Sequence, residues 1–161
     1  IHPMIRLGIG VYGIWPSKYL KSIYKNKIKL KPMLTWKTKV AQVKILPKGN
    51  TIGYGLTYKT KKATKIAIIP QGYADGIDRG LSNKGEVLVR GTRCKIIGRV
   101  SMNMFTVDVS HLLNIKTEDE VVIIGMQDKE KITAEEIAKK LYTINYEITT
   151  RISSLLPRVI V

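Results

Sequence analysis

The chain has 161 residues, 44% hydrophobic and 25% charged, a composition that suits one globular domain with a genuine core. No apolar run reaches the roughly 18 residues of a membrane-spanning helix, and a single cysteine, Cys94, with His2 and His111 as the only histidines, excludes an internal disulfide and a cysteine-rich zinc site. No metal site is expected, and the lone thiol suits a reducing cytoplasm. The net charge of +16, from 28 Lys and Arg against 12 Asp and Glu, raises one alternative: a stand-alone basic β-barrel that binds nucleic acid, because cations that neutralise phosphates drive such binding.

In chain order, "IHPMIRLGIG" opens at Ile1 rather than methionine and enters the fold without a cap or turn, which reads as a piece of a longer chain. "GIGVYG" at 8–13 matches the glycine pattern of dinucleotide sites, but Pro16 stops any helix at once and no carboxylate follows near 28–33, so the context that gives the pattern its meaning is missing. Its glycines still suit a close approach of backbone to an anion. The densest lysine zone, "KYLKSIYKNKIKLK" at 18–31, interleaves Tyr19 and Tyr24 with cations, as a surface for single-stranded nucleic acid does.

Strand signals dominate the remainder. "TKVAQVKILP" alternates Val40, Val43 and Ile45 with polar residues and ends in the turn cluster Pro47-Lys48-Gly49-Asn50. "TIGYGLTYKT" reads as the returning strand, with Gly53 and Gly55 marking a bulge or a close backbone approach. "TKIAIIP" follows, then a corner holding Tyr73 between Gly72 and Ala74-Asp75-Gly76, then Val87, Leu88 and Val89 with a reversal at Arg90-Gly91-Thr92, Cys94 to Ile97, and "DEVVIIG" at 119–125. One helix is predicted, in "AEEIAKKLYTI": Thr133 and Glu136 form a capping box, and Ile137, Leu141 and Ile144 share one side. A turn of helix near "SHLLNI" is allowed, and "EITTRISSLLPRVIV" reads as extended. The fold class is mainly β, a compact β-barrel or sandwich-like domain with one inserted α-helix.

Five blocks, "RLGIGVYGIWPS", "GYGLTY", "GYADGIDRGLSN", "GRVSMNMFTVDV" and "YEITTRISSLLPRV", stand in the order found in alanine racemases, and the chain resembles the C-terminal part of that family. The resemblance implies that residues 1–35 are the last strand of a missing (β/α)8 barrel and a lysine-rich crossover, and that 36–161 are the β-rich C-terminal domain. It also implies pyridoxal phosphate as cofactor, with its lysine outside this chain, alanine as substrate, and a homodimer whose active site is shared between subunits.

By the same resemblance Tyr73 is a catalytic base that reaches into the partner's cofactor site. Racemisation needs a proton removed from one face of a carbon and another delivered to the opposite face, so two groups must flank it. A tyrosine with its ordinary pKa near ~10 is a poor base at neutral pH, and a neighbouring cation is the obvious remedy. Arg6 is implied to meet the cofactor's pyridine nitrogen, the backbone N–H groups of Gly8 and Ile9 its phosphate, and the N–H of Met102 the substrate carboxylate. Two departures stand out: Asn103 where the family usually has aspartate, and Ser154 where some members have a phosphate-contacting tyrosine. A domain that only dimerises is the third reading, and the isolated chain is expected to be inactive.

Overall fold

The computed structural model describes every residue except Ile1, His2, Pro3 and Ile5. The chain divides into two compact units, the first ending at Leu34 and the second spanning Thr35–Val161.

In the first unit, Ile9–Tyr12 form a 3₁₀ turn that closes at Gly13, in left-handed conformation with its N–H on the Gly10 carbonyl. The third glycine of "GIGVYG" thus ends a turn instead of opening a helix. The expected barrel strand falls partly on the four residues outside the description; Met4 and residues 6–8 are not in a strand. Helix α1, Lys18–Tyr24, occupies the lysine-rich zone, where no helix was expected. Its start is set by Ser17, whose Oγ accepts the Leu20 N–H at 3.1 Å, a capping signal hidden among the lysines.

The second unit is built from antiparallel strands. Strands β1 (Trp36–Lys39) and β2 (Gln42–Leu46) share one predicted run but enter different sheets. The chain bends between them where Val40, fully buried, donates its N–H to the Asp119 carbonyl. The predicted returning strand is instead a short hairpin, β3 (Thr51–Ile52) and β4 (Tyr58–Lys59), interrupted by a 3₁₀ turn at Tyr54–Leu56. Strand β2 finds its partner in β5 (Thr64–Ile69), which also pairs with β8 (Phe105–Asp108). Strands β6 (Glu86–Val89) and β7 (Thr92–Lys95) are joined by a two-residue turn, Arg90-Gly91, with positive φ at both positions, the turn whose twist suits a tight hairpin. Strand β9 (Glu120–Gln127) is central to the larger sheet, flanked by β1 and β6, and β10 (Glu130–Ile132) folds back on it. Its run Val121, Val122, Ile123 and Ile124 is buried throughout, as expected for a strand covered on both faces. A single bridge, Ile96 to Val107, links the two sheets, and among the described residues they do not close into a barrel.

Helix α2 (Ala134–Leu141) starts as predicted, with Thr133 Oγ1 accepting the Glu136 N–H at 3.2 Å, but it stops at Tyr142, which is left-handed, and leaves Ile144 exposed. A further helix, α3 (Asn145–Thr150), replaces the predicted extended segment. Its β-branched residues suggested strand, yet Thr149 and Thr150 both donate their hydroxyls to the Tyr146 carbonyl, and Ile148 is buried. Local propensity yields here to tertiary packing and to hydroxyl bonds within the turn. Residues 110–115 hold a turn rather than helix.

Beside α2, Arg93 collects Glu130 at 2.9 Å, Glu136 at 2.7 Å and Glu86 at 3.3 Å, and Lys140 reaches Glu86 at 2.6 Å. The hydrogen bond from Arg93 holds the Glu136 carboxyl below its ordinary 4.5, against the opposing effect of burial. A carboxyl that binds its proton less readily in the folded state stabilises the fold above its unfolded pKa, and that contribution is lost as the pH falls through the folded value. Arg93→Ala is expected to cost about 1–2 kcal/mol at neutral pH, and urea unfolding should show a shallower loss of stability below pH ~4.5 than in the parent protein.

Candidate active site

The register of β5 on β8 decides where the motif residues meet. Ile69 lies opposite Phe105, so the loop leaving β5 and the loop entering β8 emerge side by side. The first carries Gln71, Gly72 and Tyr73; the second carries Ser101, Met102, Asn103 and Met104. Tyr73 N–H donates to the Ser101 carbonyl and Ala74 N–H to the Met102 carbonyl, both at 3.0 Å. Gly72 makes this approach fit: a Cβ there would lie 2.2 Å from both the Ser101 and the Met102 carbonyl oxygens.

Asp75 ties the corner off. Its carboxylate accepts the Gly72 N–H at 2.8 Å, and its carbonyl accepts the Ser153 N–H at 3.0 Å, which brings in the last motif block. Asp78 accepts the Gly80 N–H and pairs with Arg151, which also pairs with Glu147. These carboxylates hold the corner's shape.

The "GYGLTY" block joins the same edge. Gly53, at φ 73, lies so close to the next block that a Cβ would stand 2.8 Å from the Arg99 nitrogen. The predicted close approach is thus real, and its partner is "GRVSMN". The turn it introduces holds Tyr54 between Gly53 and Gly55, with Leu56 also at positive φ. Leu56 is the non-glycine residue held there, and such residues collect at functional sites. The Arg99 Nε lies 3.9 Å from where a Cβ on Gly55 would sit, placing a permanent cation against this turn.

The edge is open. Tyr54 is 73% exposed, Tyr73 48% and Met102 54%, with Leu56 and Met104 also exposed. Of the residues named from sequence, Tyr73 and Met102 are therefore brought together. Arg6, Gly8 and Ile9 belong to the first unit, where Arg6 and Gly8 are exposed and Ile9 is buried. Asn103 is exposed beside Met102, and Ser154 is exposed just after the Asp75 contact. Sequence reasoning named the "GYGLTY" block but gave Tyr54 no role; the signal was there, a tyrosine between two glycines. Cys94 is fully buried, with its thiol pushed up to about 12 by burial and by Asp108, which keeps it an unreactive packing group.

Comparison with known proteins agrees with this arrangement. The family model described as alanine racemase, C-terminal domain, matches residues 33–160. The chain is 50% identical over 155 residues to an alanine racemase of Halothermothrix orenii, covering 96% of this chain and 40% of that protein. Against an alanine racemase of Leptospira interrogans it is 43% identical over 162 residues, covering 98% and 42%. It therefore spans about two fifths of the length of these curated relatives. Among solved structures it resembles alanine racemase from Bacillus anthracis with bound L-Ala-P, at a TM-score of 0.85 and 42% identity over 91% of this chain and 36% of that one. It also resembles alanine racemase from Streptomyces coelicolor, at 0.86 and 38% over 96% and 40%. The motif blocks, the antiparallel fold that gathers four of them at one edge, and these matches establish that the chain belongs to the alanine racemase family, of which it carries the C-terminal domain.

Proposed function

We propose that the chain is part of an enzyme that interconverts L- and D-alanine with pyridoxal phosphate, and that the edge built from residues 53–58, 72–83 and 98–104 is presented to the cofactor pocket of a second copy. The observation that carries this reading is that one open edge gathers the exposed Tyr73 corner, hydrogen-bonded to Ser101 and Met102, and the exposed Tyr54 turn, whose Gly53 lies against the Arg99 backbone. A homodimer, a barrel domain upstream that supplies the cofactor lysine, and a cytoplasmic setting complete the proposal.

The residues present fit the cofactor. The 3₁₀ turn at Ile9–Tyr12 begins at Gly8 without a side-chain cap, so its first N–H groups suit a phosphate, and Arg6 supplies a guanidinium that meets a ring nitrogen only as a donor. When bound, the cofactor makes the substrate Cα–H acidic. This chain's own part is to orient and to move a proton. The peptide that carries the Met102 N–H is oriented by the bond from the Tyr73 N–H to the Ser101 carbonyl at its other end, which suits that N–H to a substrate carboxylate.

Tyr73 is the base expected from the resemblance, but the geometry favours Tyr54. Tyr54 is the more exposed phenol and sits between Gly53 and Gly55 on a turn against which the Arg99 side chain lies. Tyr73 then belongs to the neighbouring corner, against Ser101 and Met102. The full-length protein loaded with pyridoxal phosphate is expected to turn over L-alanine to D-alanine, while the isolated chain shows neither turnover nor single-site cofactor absorbance. Stoichiometric cofactor binding with turnover by the isolated chain would defeat the reading.

A further inference from the structure

We propose that Asn83 is a positioning residue that fixes the Tyr54 turn to the segment carrying Arg99, so that proton transfer by Tyr54 depends on it. The inference rests on the racemase reading and on Tyr54 as the proton-transfer group. Asn83 adopts φ 60, a left-handed conformation that asparagine tolerates better than most residues. Both ends of its amide are engaged: Oδ1 accepts the Gly98 N–H at 2.7 Å, and Nδ2 donates to Thr57 Oγ1 at 3.2 Å. Thr57 directly follows the Tyr54–Leu56 turn, and Gly98 directly precedes Arg99. One side chain thus spans the residue that follows the Tyr54 turn and the residue that leads into Arg99.

The neighbouring residue makes the same kind of contact one step along. Ser82 Oγ accepts the Val100 N–H at 3.0 Å and donates to the Arg79 carbonyl at 2.5 Å. The amides of residues 98 and 100 are therefore held by consecutive side chains rather than by a strand. This explains why "LSN" stands in the same block as the Tyr73 corner: it fastens that block to "GRVSMN". The Thr57 contact goes further, because the amide of residue 98 would be satisfied without it. Its distinct consequence is the registry of the Tyr54 turn.

The test uses the full-length holoenzyme. Asn83→Gly keeps the left-handed backbone and deletes the amide, Thr57→Val deletes the acceptor, and Thr57→Ser retains it. Washout of the Cα deuteron from each enantiomer of deuterated alanine is followed with the thermal midpoint. Misplacing a reacting group by about 1 Å costs up to ~10²-fold in rate. We therefore expect washout from one enantiomer, the one impaired by Tyr54→Phe, to slow about ten-fold in Asn83→Gly and Thr57→Val, and to stay at the parent rate in Thr57→Ser. Washout from the other enantiomer should not change. Equal slowing of both enantiomers with a lowered midpoint, or no slowing at all, overturns the proposal. If Tyr54→Phe is impaired while Asn83→Gly and Thr57→Val match the parent, only the Asn83 role falls; if Tyr54→Phe itself washes out normally, the base assignment falls with it.

Discussion

Replacing Tyr54 with phenylalanine in the full-length enzyme is expected to slow proton exchange at one face of alanine by about 10²–10⁴-fold, the range that a positioned general base contributes, while the other face continues to exchange. The face selectivity follows from the chemistry: two groups serve opposite sides of one carbon, so removing one leaves the other working. Deleting a hydroxyl from an exposed side chain, 73% accessible, removes no core packing, and the thermal midpoint should stay within a degree or two of the parent, as for most surface changes. Tyr73→Phe is the paired experiment. Its hydroxyl belongs to a corner held by backbone bonds to Ser101 and Met102, so its loss should act on both faces alike and chiefly on KM. Should Tyr73→Phe instead give the face-selective loss while Tyr54→Phe does not, the base is Tyr73, as the resemblance first implied.

Gly72→Ala is expected to have the largest structural effect. The added methyl would stand 2.2 Å from two carbonyl oxygens, those of Ser101 and Met102, and both belong to backbone that cannot rotate away like a flexible side chain. The loops must separate, which breaks the bonds from Tyr73 and Ala74 and loosens the bond from the Gly72 N–H to the Asp75 carboxylate. Overpacking of this kind costs about 3 kcal/mol, measurable as a lowered urea midpoint with an unchanged slope. Activity should fall with it, because Tyr73 and Met102 lose their common frame. A variant with parent stability and parent KM would show that the two loops are not held at this distance in solution.

Much of this was legible in the sequence because it depends on local chemistry. The helix start capped by Thr133, the apolar run of β9 and the Arg90-Gly91 reversal are each fixed by a few adjacent residues and stand where expected, although the Glu136 carboxylate of the predicted capping box goes to Arg93 instead. The motif blocks identified the family and placed Tyr73 and Met102 at one site. Local signals failed where a distant partner decides. Residues 145–150 are rich in β-branched side chains yet helical, and the run read as one strand from Thr38 to Pro47 serves two sheets because β9 claims its first half and β5 its second.

What the sequence determined by itself was the class of the molecule: a mainly β, cation-rich domain carrying the motif blocks of the alanine racemase family. What only the tertiary structure decided was what the Gly53–Gly55 turn packs against, the segment that carries Arg99. That turn and Arg99 are far apart along the chain, and their meeting depends on Gly53 accepting the Arg99 backbone at a distance that any side chain would forbid. The glycines announce a close approach, but no local pattern names its partner, because the two segments are distant in sequence and only the folded chain brings them together.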